Sequence, residues 1–171
     1  MTQKRVLMLW LLSCLLLALS FAGPEASWAF GKAYRDSFRR QLSFIVSKKP
    51  AYAWGGSASI EQGLDCSGYL FLAAKWAGLP GITRTTALRM SLGLGGWDSN
   101  PARLGQIQEC DLVFWTFSAA RPNGHVGPFL EDHAGGHKVT HASTSRGVIS
   151  EPFTASLRKN LTSVRRLTIG D

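Results

Sequence analysis

Between Phe30 and Val46 the apolar residues Phe30, Tyr34, Phe38, Leu42, Ile45 and Val46 recur at three- and four-residue spacing. That periodicity predicts an amphipathic helix over residues 30–47, with Arg35, Arg39 and Arg40 mainly on its outward face. Lys48-Lys49-Pro50 ends it, and residues 55–64 read as a loop. A second helix is expected over 66–77, where Tyr69, Leu70, Phe71, Leu72, Ala73, Ala74 and Trp76 leave almost no polar face. Asp65 is a good N-cap for it, and Gly78 and Pro80 supply the stop. A helix this apolar belongs in the interior.

After residue 110 the period changes. Leu112–Trp115 is a short unbroken apolar run, the pattern of a strand covered on both faces. Arg121-Pro122-Asn123-Gly124 is a strong turn signal. Residues 125–131 and 138–143 read as strands around an Ala134-Gly135-Gly136 turn, with 147–150 and 164–169 as further strands. Helices first and a meander of strands afterwards predict an α+β fold. A length of 171 residues suits one domain, and 45% hydrophobic with 18% charged residues excludes a disordered tail or a coiled coil.

The start of the chain has a different character. Lys4 and Arg5 precede a run without charge from Val6 to Ala22, which Gly23-Pro24 then breaks. This is the pattern of a secretory signal over residues 1–29, cleaved after Ala29 or Ala22, and it leaves 30–171 as the single domain. Two readings compete with it. One is a retained membrane anchor, because the run reaches the lower end of the spanning range. The other is a lipid attached to Cys14 in Leu11-Leu12-Ser13-Cys14. The full chain carries a net charge of +8 and a pI near 9.9. Losing Lys4 and Arg5 lowers the charge to +6, and losing Glu25 as well brings it back to +7. Export argues against nucleic acid as the partner of this charge and for an acidic polymer outside the cytoplasm. Membrane contact is then transient, through the signal segment.

Three cysteines are too few for a disulfide framework or a four-thiolate metal site. The mature chain keeps Cys66 and Cys110 where thiols are normally oxidised, so either they pair or at least one stays free for a reason. Cys66 sits in the first turn of the buried helix, where the positive end of the helix dipole favours thiolate. The plainer alternative is a small apolar thiol filling a core position. A nucleophilic thiol needs a base, and the base an orienting partner. His125, His133, His137 and His141 are available. His125 and His141 share a sheet face only if the connecting loop has an odd residue count or a bulge intervenes; a two-residue Gly135-Gly136 turn would separate them. The i, i+4, i+8 spacing of His133, His137 and His141 suits a metal on a helix face, but Gly135-Gly136 and Val139-Thr140 disfavour a helix there.

Tyr52-Ala53-Trp54-Gly55-Gly56, Asp65-Cys66-Ser67-Gly68 opening a helix, Leu79-Pro80 and Arg84-Thr85-Thr86 together have a familiar order. With Asp111-Leu112-Val113-Phe114-Trp115, Gly124-His125-Val126-Gly127 and His141-Ala142-Ser143, the set resembles the NlpC-type murein endopeptidases, small papain-like cysteine peptidases. The likeness runs over about residues 40–169. It implies a papain-like α+β fold: N-terminal helices, and a buried helix bearing the nucleophile, packed on an antiparallel sheet of about five to six strands. Cys66 matches the nucleophile, His125 the general base and His141 the residue orienting the imidazole, with His137 the fallback for that last role. Tyr52, Asp65 and Ser67 match positions lining the substrate pocket, which in some relatives contact a free amino end. The resemblance implies neither cofactor nor metal. It implies an exported, monomeric hydrolase of peptidoglycan stem peptides, acting in the periplasm or cell wall on the bond between D-glutamate and a diamino acid. A murein amidase or a catalytically silent wall-binding module are the rivals. Three departures stand out. Cys110 replaces a usual glycine and is expected to be a partly buried free thiol. Pro128 follows His-Val-Gly, which points to a bulge or an edge strand. The turn between the histidine strands is long.

Overall fold

The computed structural model describes residues 25–131 and 136–169, with side chains from residue 31 onward. Residues 1–24, Cys14 and His133 among them, lie outside the described residues. So does the side chain of Ala29, the preferred cleavage position.

Three helices come first: α1 (Glu25–Lys48), α2 (Cys66–Trp76) and the short α3 (Ala87–Ser91). The expected first helix is present and starts five residues earlier than its apolar stripe. Strands β1 (Ser99–Pro101), β2 (Leu112–Trp115), β3 (His125–Glu131), β4 (His137–Ser143), β5 (Gly147–Pro152) and β6 (Leu161–Leu167) follow, with helix α4 (Ala155–Lys159) between the last two. They form one six-stranded antiparallel sheet in the order β1-β6-β2-β3-β4-β5. The α+β architecture and the strand number agree with expectation. Helices α3 and α4 and strand β1 were not anticipated. Among the described residues no helix is long and apolar enough to cross a membrane.

Both faces of the sheet are covered, which explains why all four residues of β2 are buried. Leu112 and Phe114 join Val126, Ala142 and Val148 in the core shared with Phe38, Leu42 and Ile45 of α1 and Leu70 and Ala73 of α2. Val113 and Trp115 belong to a second cluster with Phe129, Val139, Phe153 and Val164, against which Leu157 of α4 packs. Tyr69 pins three elements together. Its hydroxyl donates to the Leu42 carbonyl at 3.2 Å and lies 2.9 Å from Thr140 Oγ1. Asp111, almost wholly buried, accepts from Arg166 Nε and Nη2 at 3.0 and 2.9 Å and so fastens the start of β2 to β6.

Pro128 is not at an edge: β3 has neighbours on both sides. The bulge lies on the chain beside it. Cys110 N–H donates to the Phe129 carbonyl, and Phe129 N–H donates to the carbonyl of Asp111, each at 2.8 Å. Two residues therefore oppose one, and the first has φ 68°, the left-handed geometry of a G1 bulge in which glycine is usual. Cys110 is thus a cysteine in a glycine conformation. It is free as expected, but fully rather than partly buried, and its thiol points to the Arg35 carbonyl at 3.8 Å. Burial pushes that thiol far above its ordinary range.

Candidate active site

Asp65 caps α2 as expected: its Oδ1 accepts the Gly68 N–H at 2.6 Å. A Cβ on Gly68 would strike the Gly56 carbonyl, so a residue without a side chain lets the 55–64 loop lie against the first turn. That contact fixes Cys66 at the tip of the helix. The backbone N–H groups of Val126 and Ser67 favour the charged form of its sulfur. Val126 directly follows His125, so the start of β3 abuts the start of α2.

Cys66 and His125 line one cleft of about 470 Å³. Tyr52, Trp54, Arg84, Phe117 and Arg121 complete most of its walls. His125 Nε2 lies 2.8 Å from His141 Nδ1, and the rings meet edge-on at 4.9 Å. Trp115 and Phe117 flank His125 at 5.5 and 5.8 Å between ring centres. The parity condition is met. Glu131 pairs with His137 across a loop of five residues, 132–136, and continuing the register of Phe129 with Val139 sets Gly127 opposite His141. A Cβ on Gly127 would overlap the Thr140 carbonyl oxygen and lie 3.1 Å from His141 Cβ. Glycine here lets the two histidine strands approach.

The fallback His137 is not beside His125: its ring stacks on Phe129 at 5.2 Å. Of the three histidines at metal-ligand spacing, His133 lies outside the described residues. His137 and His141 lie on a strand, and both His141 nitrogens are engaged, with His125 and with Glu151 Oε1 at 2.7 Å.

Electrostatics run against one sequence expectation. The helix start was expected to favour thiolate at Cys66, yet burial pushes the thiol up to about 11, outweighing the N–H groups of Val126 and Ser67. Burial, then the neighbouring His141, pulls His125 down to about 3. The two groups therefore rest as a neutral thiol and a neutral imidazole lining one cleft. For a thiol this deeply buried, desolvation exceeds the half-charge of one helix end.

The expected pocket residues are present, with one addition that sequence reasoning missed. Arg84 Nη2 pairs with Asp65 Oδ2 at 2.6 Å, and Arg84 Nη1 donates to Ser67 Oγ at 2.8 Å and to the Thr85 carbonyl. Gly55 N–H and Ser67 Oγ–H fill the remaining positions around the Asp65 carboxylate. Tyr52 lines the cleft, held by a parallel bridge to Leu64, and burial together with Cys66 and Asp65 raises its phenol. Arg121 lies over Trp54, its guanidinium 5.4 Å from the ring centre. Glu151 was missed too. Its signal was an acidic residue two positions beyond Ile149, on the same face of the strand next to His141.

Comparisons with known proteins bear on the family and the fold. The profile of the NlpC/P60 family matches residues 49–166. The fold is similar to that of a Staphylococcus aureus protein described as similar to a lipoprotein of the NLP/P60 family (TM-score 0.58, 20% identity, covering 78% of this chain and 41% of that one). It is also similar to NlpC2 from Trichomonas vaginalis (TM-score 0.55, 21% identity, covering 77% of this chain and 46% of that one). The chain thus spans less than half the length of either. Among curated proteins none matches the sequence.

Proposed function

Because the chain belongs to the NlpC/P60 family, we propose that it is a cysteine hydrolase cutting peptidoglycan stem peptides between D-glutamate and a diamino acid. The family supports a peptidoglycan-related hydrolase role; the particular bond is assigned from the likeness of the Cys66 and His125 motifs to NlpC-type endopeptidases. One observation carries the reading: Cys66 at the tip of α2 lines the same cleft as a His125 whose Nε2 is already bound to His141. That leaves Nδ1 of His125 for the thiol.

The steps follow from the neutral resting pair. A peptide entering the cleft displaces water, and the Sγ–H proton passes to His125 Nδ1 as the sulfur attacks the amide carbonyl. Backbone N–H groups at the start of α2 hold the oxyanion. His125 then gives its proton to the departing amine, and the C–N bond breaks to leave a thioester on Cys66. Water yields a proton to His125 and its oxygen to the acyl carbon; the carboxylic acid leaves and the thiol is restored. Arg84 holds Asp65 and Ser67, so a substrate amine reaches them only by displacing the guanidinium. Arg84 and Arg121 instead offer positive charge to the carboxylates of the stem peptide. The signal-like pattern of residues 1–29 supports placing the enzyme in the periplasm or cell wall.

The test is digestion of purified sacculi with wild type and Cys66→Ala, followed by mass analysis. The expected result is soluble fragments from wild type only, with a dipeptide left on the sugar. An intact released stem peptide would instead identify an amidase. Sacculus binding by both proteins with no release would identify a binding module. Equal release by both would end the cysteine mechanism.

A further inference from the structure

We propose that Glu151 is a positioning residue that fixes the tautomer of His141 and, through it, leaves Nδ1 of His125 unprotonated to receive the Cys66 proton. The inference rests on the hydrolase reading above and extends it by a fourth group.

The geometry is a chain of short bonds across three neighbouring strands. Glu151 Oε1 on β5 lies 2.7 Å from His141 Nε2 on β4, and His141 Nδ1 lies 2.8 Å from His125 Nε2 on β3. The second carboxylate oxygen, Oε2, accepts from Arg146 Nη2 at 3.1 Å. The His141 side chain is about 10% exposed and that of Glu151 about 22%, so water competes weakly at the histidine end. Burial by itself would push the Glu151 carboxyl up, but the hydrogen bonds from His141 and Arg146 win and hold it below 4.5, so it is ionised.

An ionised carboxylate can only accept, so His141 Nε2 carries a proton. A neutral imidazole has one N–H, which leaves His141 Nδ1 bare and able only to accept from His125 Nε2–H. By the same rule His125 Nδ1 is bare. It is then the one ring nitrogen able to act as a base. The order of protons is set from the far end of the chain. Without an acceptor at residue 151, His141 is free to carry its proton on Nδ1. It would then donate to His125 Nε2 and drive the His125 proton onto Nδ1, where it blocks the thiol. Glu151 also faces the imidazolium that forms at His125 during the reaction, with one ring between them, and so offsets its charge. An ordinary ion pair is the competing arrangement. There His141 is doubly protonated and donates from Nδ1 to His125 Nε2, the opposite order.

The full-length protein labelled with 15N-histidine separates the two, because ring 15N shifts report which nitrogens carry protons. At neutral pH the wild type is expected to show His141 protonated at Nε2 and bare at Nδ1. A proton on His141 Nδ1 overturns the inference whatever the enzyme cleaves. Kinetics give the second reading. Glu151→Ala is expected to lower kcat on muropeptides about 10–100-fold, the usual effect of removing a group that orients a working histidine, with KM within about twofold. Glu151→Gln keeps an acceptor oxygen and is expected to recover part of the loss. Glu151→Ala at wild-type kcat refutes the positioning role. Failure of the wild type to release anything from sacculi would refute the hydrolase reading instead, and leaves the 15N result to decide this one.

Discussion

Replacing Gly127 with alanine tests whether the closeness of the two histidine strands is what makes the site. The added methyl would overlap the Thr140 carbonyl oxygen and sit 3.1 Å from His141 Cβ. Both atoms belong to the backbone or base of β4, so no flexible side chain can swing away. The strands must part by roughly 1 Å, because the methyl would lie 2.3 Å from the Thr140 oxygen and ordinary contact begins at 3.4 Å. Passed to His141, that shift stretches the 2.8 Å contact with His125 beyond hydrogen-bonding range, which ends near 3.2 Å for such pairs. Overpacking of this kind costs about 1–3 kcal/mol, and in a domain of this size each kcal/mol lowers Tm by about 2–4 °C. Activity should fall more than stability. A misplacement near 1 Å in a catalytic arrangement costs up to about 100-fold, so about 10- to 100-fold is expected for Gly127→Ala. Muropeptide turnover and a thermal melt measured on the same preparation decide it. Turnover within about twofold of wild type, in a protein whose Tm has dropped, would show that the spacing of His125 and His141 does not set the rate.

Tyr69→Phe should cost about 1–3 kcal/mol in urea denaturation, because it strips a partner from the Leu42 carbonyl and from Thr140, neither of which lines the cleft; an unaltered midpoint would contradict this. Stability should also fall with acid. His125 titrates near 3 when folded and near 6.5 when unfolded, so between those values the unfolded chain binds the extra proton and stability drops by up to about 1.4 kcal/mol per pH unit. Glu151, held below 4.5, adds to the loss in the same direction once the pH passes below 4.5. Urea midpoints that stay level from pH 6.5 to 4 would refute it. At the bulge, Cys110→Gly should change stability by less than about 1 kcal/mol, since relief of the positive φ offsets the lost thiol packing. Cys110→Val, β-branched at that φ, should cost about 2 kcal/mol or more, measured by the same melts.

What the sequence disclosed and what it hid divide along a physical line. Helix α2 was legible because one segment holds both its apolar surface and its cap, Asp65. Strand β2 was legible because both its faces are covered, so its apolar run has no break. Parity stated the condition for His125 and His141 to meet, and the five-residue loop satisfies it. The expected 164–169 strand was displaced: β6 runs from Leu161 to Leu167 because its first residues pair with β2, Leu161 opposite Trp115, while β1 pairs only with Arg165, Arg166 and Leu167. Arg84 was quoted in a motif without a role, since its hold on Asp65 spans a loop and no periodicity encodes it. Glu151 was hidden for a simpler reason. The strand was expected to stop at Ser150, one residue short of the carboxylate, whereas β5 continues to Pro152.

The relay from helix tip to outer strand also bears on how this chain is made. Cys66 leaves the ribosome early, whereas His125, His141 and Glu151 follow in succession, and their alignment requires β3, β4 and β5 to have paired. Contacts so distant in sequence form late in folding. A nascent or truncated chain therefore carries Cys66 without the three aligned groups, and the arrangement is complete only once β5 has closed on β4.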